Sequence, residues 1–150
     1  MGTTTAIRII QAPIHLVFES VGHIENYAKV VPEIIRVEFL SEQKSGLGAR
    51  FRETRQMGKR EGSTELEVTE YEPSQRIRLV ADQGGTIWDT IYTTRELEGG
   101  RVELKLVMEA RAYKFLAKLF NPLIAGVVRK AIEKDMDRVK AHCEEPGAGS

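Results

Sequence analysis

Glu53 and Arg55 stand two residues apart in the stretch ARFRETRQM (49–57). Alternation along a strand puts them on the same face as Phe51 and Met57. If Phe51 points into the protein, an acid and a guanidinium point inward with it, and buried charges are paired or functional. If the strand twists outward past Phe51, both charges sit in water. A second group lies in TIWDTIYTTREL (86–97), where Trp88, Thr90 and Tyr92 share one face and Ile87, Asp89 and Ile91 the other. The following turn decides which face is inside. A two-residue turn at Gly99-Gly100 brings the isoleucines beside Leu106 and Met108. A three-residue turn or a bulge brings Trp88 and Tyr92 there instead.

Other reactive side chains are poorly arranged for chemistry. His15, His23 and His142 are scattered and have no ligand spacing among them. Cys143 is the only cysteine, which excludes an intrachain disulfide and a thiolate cluster. It sits beside His142 and Glu144 near the chain end, a poor place to enclose a substrate. Neither a metal nor a cofactor is expected. Gly46-Leu47-Gly48 lacks the third glycine and the following helix of a phosphate loop, and reads as hairpin geometry. No G-x-S-x-G nucleophile motif occurs.

The chain has 150 residues, 41% hydrophobic and 29% charged, which suits one soluble globular domain. Lys plus Arg number 22 and Asp plus Glu number 22, so the net charge of +0 makes no case for nucleic acid or an anionic membrane as main partner, though local patches stay open. No run of ~18 apolar residues predicts a membrane-spanning helix. The N-terminus MGTTTAIRII lacks a signal-peptide pattern, so a cytoplasmic location is expected.

Residues 3–11 read as a strand, 12–22 as a helix begun near Pro13, and 24–31 as a second short helix stopped by Pro32. Six strands follow, at 34–41, 49–57, 63–72, 76–82, 86–97 and 101–112, joined by short turns that imply antiparallel hairpins. Ile35, Val37 and Phe39 are expected on one face of the first of these. A long apolar helix then runs from Leu116 to Val139, with Asn121-Pro122 either starting a new helix or kinking one. The expected domain is 1–143, with 144–150 a disordered tail.

Seven strands at ~4.8 Å spacing make a sheet roughly 30 Å wide, whereas one helix is only ~10–12 Å across. A single helix cannot cover such a sheet flat. The sheet must curl around it, with the two short helices plugging an end. The interior is then either filled by apolar side chains or left hollow for a ligand.

The ordered segments APIHLVFESV, IENYAKVVPEIIRVEFLS, GLGARF and VTEYEPSQRIRL resemble the START-like, or helix-grip, superfamily (SRPBCC). Within it the resemblance is to the bacterial polyketide cyclase/dehydrase-like group, over about residues 3–142. YAKVVPEI also resembles the quinone-binding branch. The resemblance implies an α+β helix-grip fold: a seven-stranded antiparallel sheet gripping a long C-terminal helix around a hydrophobic cavity. It also implies binding of small apolar molecules such as lipids, polyketides or quinones, with no shared reaction. Tyr27 and Val31 are then expected at the cavity mouth. Val37, Phe39, Phe51, Glu53, Arg55, Trp88, Tyr92 and Met108 are the sheet-side candidates. Phe120, Ile124 and Val128, at a spacing of four, are the helix stripe opposite them. A noncatalytic binder or carrier leads. A cyclase or dehydratase moving protons with a pocket acid such as Glu53 or Glu109 is the alternative, and an interaction module with a filled core is the third. Homodimerisation stays open.

Overall fold

The computed structural model describes residues 2–146. In chain order its elements are β1 (Gly2–Ile10), α1 (Ile14–Gly22), α2 (Ile24–Val30), β2 (Ile34–Phe39), β3 (Arg50–Met57), β4 (Arg60–Glu72), β5 (Arg76–Gln83), β6 (Thr86–Glu96), β7 (Val102–Ala112) and α3 (Phe115–Glu144). The strands form one sheet in the order β1-β7-β6-β5-β4-β3-β2, every pair antiparallel. This is the expected helix-grip arrangement. Consecutive strands from β2 to β7 are neighbours: beyond the longer β2–β3 connection (40–49), each joins the next through a short turn. The chain's first strand closes the far side against its last.

The β6–β7 turn holds the three residues Glu98, Gly99 and Gly100, closed by the Leu97 N–H donating to the Arg101 carbonyl at 2.8 Å. Gly99 at φ 78° supplies the left-handed conformation this turn needs. The three-residue turn sets Trp88 opposite Ala110, Thr90 opposite Met108 and Tyr92 opposite Leu106. Tyr92 and Leu106 are buried together, so Trp88, Thr90 and Tyr92 form the inward face. On the outward face Asp89 takes hydrogen bonds from Arg78 at 2.8 Å and from Arg111 at 3.3 Å.

One expected face fails at β2. A register shift between Ile34 and Arg36 buries Ile34 and turns Ile35 out to solvent. The bulge takes up one residue, so the alternation expected from Ile35 begins one step late.

The short helices are positioned by what precedes and ends them. Pro13 takes the N-cap place of α1, and its carbonyl accepts from the Leu16 and Val17 N–H groups at 3.1 and 3.2 Å. Gly22 closes α1 where a Cβ would lie 2.9 Å from the Phe18 ring, so only glycine fits there. α2 stops at Val30, and Pro32 keeps the chain from extending the helix, so Ile34 enters β2 at once.

α3 is one helix through Asn121 and Pro122. Pro122 lacks the N–H that would bond one turn back. Asn121 instead donates to the Thr86 Oγ1 at 2.9 Å, which ties this turn to the start of β6. The C-terminal half is clamped at both sheet margins. Arg8 on β1 reaches Glu133 at 2.9 Å and Asp137 at 2.7 Å, and Lys140 donates to the Ile9 carbonyl at 2.6 Å. Beside β2, Glu33 pairs with Arg138 and Lys134. α3 also takes in Glu144, the first residue of the expected tail; residues 147–150 of that tail lie outside the described residues.

The core packs α1 against the sheet through Val17, Phe18 and Val21, with Ile10, Ile77, Leu104 and Leu106 beneath and Met136 and Val139 from α3. Cys143 is part of this packing, 3.4 Å from the Ser20 Oγ. Burial pushes its pKa up, the reverse of an activated nucleophile, although the Ser20 contact pulls slightly the other way.

Candidate functional site

Between the sheet and α3 lies a cavity of 510 Å³, a volume typical of small-molecule sites. Its floor is the inward face of β3–β7: Phe51, Leu66, Val68, Ile77, Leu79, Ala81, Trp88, Tyr92, Leu106 and Met108. Its roof is Ile124, Val128, Ala131, Ile132 and Asp135 of α3, and Ile24 and Tyr27 close one end. A second chamber of 710 Å³ opens beneath the first half of α3, against β1 and β7. The two share Trp88, Met108, Ile124 and Val128 as walls.

Glu53 and Arg55 both line the main cavity, because Phe51 is buried and the strand does not twist out before Met57. They are part of a five-residue polar cluster. The Arg55 Nε donates to Glu53 at 2.9 Å and its Nη2 donates to the Asp135 Oδ2 at 2.8 Å. The Tyr27 hydroxyl donates to the same Asp135 oxygen at 2.7 Å. The Tyr92 hydroxyl donates to Tyr27 over a long 3.3 Å, and the two rings meet edge to face with centroids 6.3 Å apart. Burial alone would lower the Arg55 pKa, but Glu53 and Asp135 outweigh it and the guanidinium stays charged. Desolvation pushes the Tyr27 and Tyr92 hydroxyls above the usual phenol range, so both keep their protons at neutral pH.

This arrangement has spare hydrogen-bonding capacity. Arg55 has five N–H donors, and its third contact, Nη1 to the Asp135 Oδ1, is a weak one at 3.5 Å. Tyr92 spends its proton on a long bond. A carbonyl or hydroxyl oxygen brought into the cavity could therefore accept from Arg55 and from Tyr92.

Of the expected lining residues, Tyr27, Phe51, Glu53, Arg55, Trp88, Tyr92, Met108, Ile124 and Val128 come together around this space. Four do not. Val31 is wholly buried in the packed core. Val37 and Phe39 lie on β2, the margin of the sheet, and pack on the core while Lys44 covers the Phe39 ring at 5.3 Å. Phe120 faces outward. A step of four residues turns a helix by about 40° beyond a full turn. The row Phe120, Ile124 and Ile132 accordingly passes from 52% to 41% to 6% exposed. Glu109 lies on the outer face, paired with Arg111 at 3.2 Å, and has no access to the cavity. Asp135 was not expected. Its signal is an acid set between Ile132 and Met136 on the stripe that runs on to Val139.

The sequence matches the family described as polyketide cyclase/dehydrase and lipid transport over residues 1–144. The chain belongs to that family. No curated protein matches the sequence. Solved structures similar to it include the Zhui aromatase/cyclase from Streptomyces sp. R1128, with a TM-score of 0.80 at 18% identity over 99% of this chain and 98% of that one. Others are TTHA0849 from Thermus thermophilus, with a TM-score of 0.75 at 16% identity over 93% and 95% of the two chains, and Ara h 8.0201, with 0.74 at 12% over 95% and 97%. At such identities the likeness carries the fold and not a reaction. No helix among the described residues is long and apolar enough to cross a membrane.

The buried tyrosines are expected to make stability depend on alkaline pH. Their folded pKa values are raised above the unfolded value near 10, so their contribution is complete below about pH 10 and falls as pH rises beyond it. Denaturant unfolding followed from about pH 8 to about pH 11 is expected to show that decline, and Tyr27→Phe combined with Tyr92→Phe is expected to flatten it. An equal decline in the double variant would place the effect elsewhere.

Proposed function

We propose that the protein binds and carries a small, mostly apolar molecule of lipid, polyketide or quinone type inside the 510 Å³ cavity. The observation that carries this reading is the contrast within that cavity. Most of its wall is aliphatic or aromatic, and a hydrogen-bonded Arg55–Glu53–Asp135–Tyr27–Tyr92 cluster sits against it. Apolar walls favour the body of such a ligand, and the cluster fixes one oxygen of it.

The test is a matched pair of ligands: a polycyclic aromatic ketone and its parent hydrocarbon, titrated by displacement of an apolar fluorescent probe. The ketone is expected to bind about tenfold more tightly, the worth of one hydrogen bond to a charged donor. Tyr92→Phe is expected to shrink the gap, since it removes one donor and little volume. Equal affinities for ketone and hydrocarbon would mean that the cluster is structural and takes no part in binding.

A second reading, an enzyme of the cyclase or dehydratase kind, is supported by the chemistry of the same cluster. Protonated tyrosines beside a guanidinium can polarise a carbonyl, and Glu53 or Asp135 can accept a proton. Glu109 has no part in it. Incubation with a poly-β-ketone mimic distinguishes the two. Loss of water from the mimic, abolished by Arg55→Met, supports the enzyme, whereas recovery of unchanged mimic supports the carrier.

A further inference from the structure

We propose that the first half of α3 docks on an anionic lipid surface. Phe115, Leu116, Leu119, Phe120, Leu123 and Val127 all stand in solvent, with Phe115 77%, Leu123 73% and Val127 69% exposed. At about 100° per residue they fall within an arc of roughly 140°. The opposite side of the helix faces inward: Ala117 is buried, Asn121 bonds to Thr86, and Ala125 and Val128 line the 710 Å³ chamber. The exposed arc therefore has no partner among the described residues, and it is too contiguous for an ordinary surface.

Charge identifies the occupant. From Tyr113 to Ala131 the chain holds Lys114, Lys118, Arg129 and Lys130 and no Asp or Glu, although the whole protein has a net charge of +0. All four cations are exposed, and none forms a salt bridge among the described residues. Asp82 meets the segment at Tyr113, whose hydroxyl donates to it at 2.7 Å. An apolar arc with unpaired cations along its length suits the boundary between acyl chains and anionic headgroups. A protein partner with an apolar groove would leave the cations unmatched, and a second copy would set them against each other. The position also has a consequence. Lys118, Pro122 and Ala125 line the side chamber, and its walls Trp88, Met108, Ile124 and Val128 continue into the main cavity. A docked helix would lie between that chamber and the bilayer. Docking needs no loaded cavity and a cavity ligand needs no docking, so this inference and the carrier reading can fail separately.

The test is co-sedimentation of the whole protein with vesicles of phosphatidylcholine, with and without phosphatidylglycerol. Binding is expected to the anionic vesicles, weakened by raised salt, and reduced at least about tenfold by Leu119→Ser with Leu123→Ser. Both positions are solvent-exposed, so the fold is expected to survive, and circular dichroism checks that it does. Lys118→Glu with Arg129→Glu is expected to remove the preference for anionic lipid. Three results would each overturn the proposal: no binding to anionic vesicles, binding that the serine variant leaves intact, or light scattering that shows a dimer dissociated by the serine variant.

Discussion

Arg55→Met is expected to cost about 3–5 kcal/mol of stability at neutral pH, because it leaves two inward carboxylates without their cation. Glu53 and Asp135 both bond to this guanidinium, at 2.9 and 2.8 Å. Their side chains are only 13% and 10% exposed, so water screens them little. Methionine restores the volume but not the charge. For a domain of this size the loss corresponds to a fall in Tm of roughly 10 °C or more. Adding Glu53→Gln and Asp135→Asn to Arg55→Met is expected to recover much of the loss. Thermal melts of the single and triple variants at neutral pH are the check. A single variant that loses less than about 1 kcal/mol would show that the cluster is not held together by charge.

Filling the cavity is expected to separate binding from folding. Val128→Trp with Met108→Trp places two indoles from opposite walls into space now shared by both chambers. In a packed core such enlargement costs about 1–3 kcal/mol or more through strain. Beside an existing cavity the rings have room, so a cost near or below the lower end is expected. Affinity for an apolar probe is expected to fall far more than stability, by a hundredfold or so if the volume is lost. Ile124→Trp alone is a weaker test. Ile124 is 41% exposed, and a large ring there can swing into solvent. Circular dichroism and probe fluorescence on the double variant decide the matter. Unchanged probe affinity in a folded protein would mean that the probe binds elsewhere.

The order of elements was legible because each strand and helix carries its own period and the turns between them are short. Sheet width against helix width led to the curl and the hollow without any side-chain detail. The side-chain faces were less legible, for local reasons. Two turns were possible after β6, and only the count of three residues at Glu98–Gly100 decides that Trp88 and Tyr92 point inward. The bulge at Ile34/Arg36 reverses Ile35 without any glycine or proline to mark it. Phe120 departs from the expected stripe because a spacing of four drifts round a helix of 3.6 residues per turn. Asp135 is hard to find in the sequence because an acid in an apolar stripe reads as an interruption, and its partner Arg55 lies 80 residues away in the chain. Sequence spacing cannot bring such a pair together; the curl of the sheet does.

Whether the interior is a ligand site or a packed core is decided by native mass spectrometry of the protein purified from its own host. A second mass species carrying one small hydrophobic molecule is expected in the wild type and is expected to be absent from Val128→Trp/Met108→Trp. A bare protein mass in the wild type, together with no apolar probe binding in solution, would contradict a ligand site.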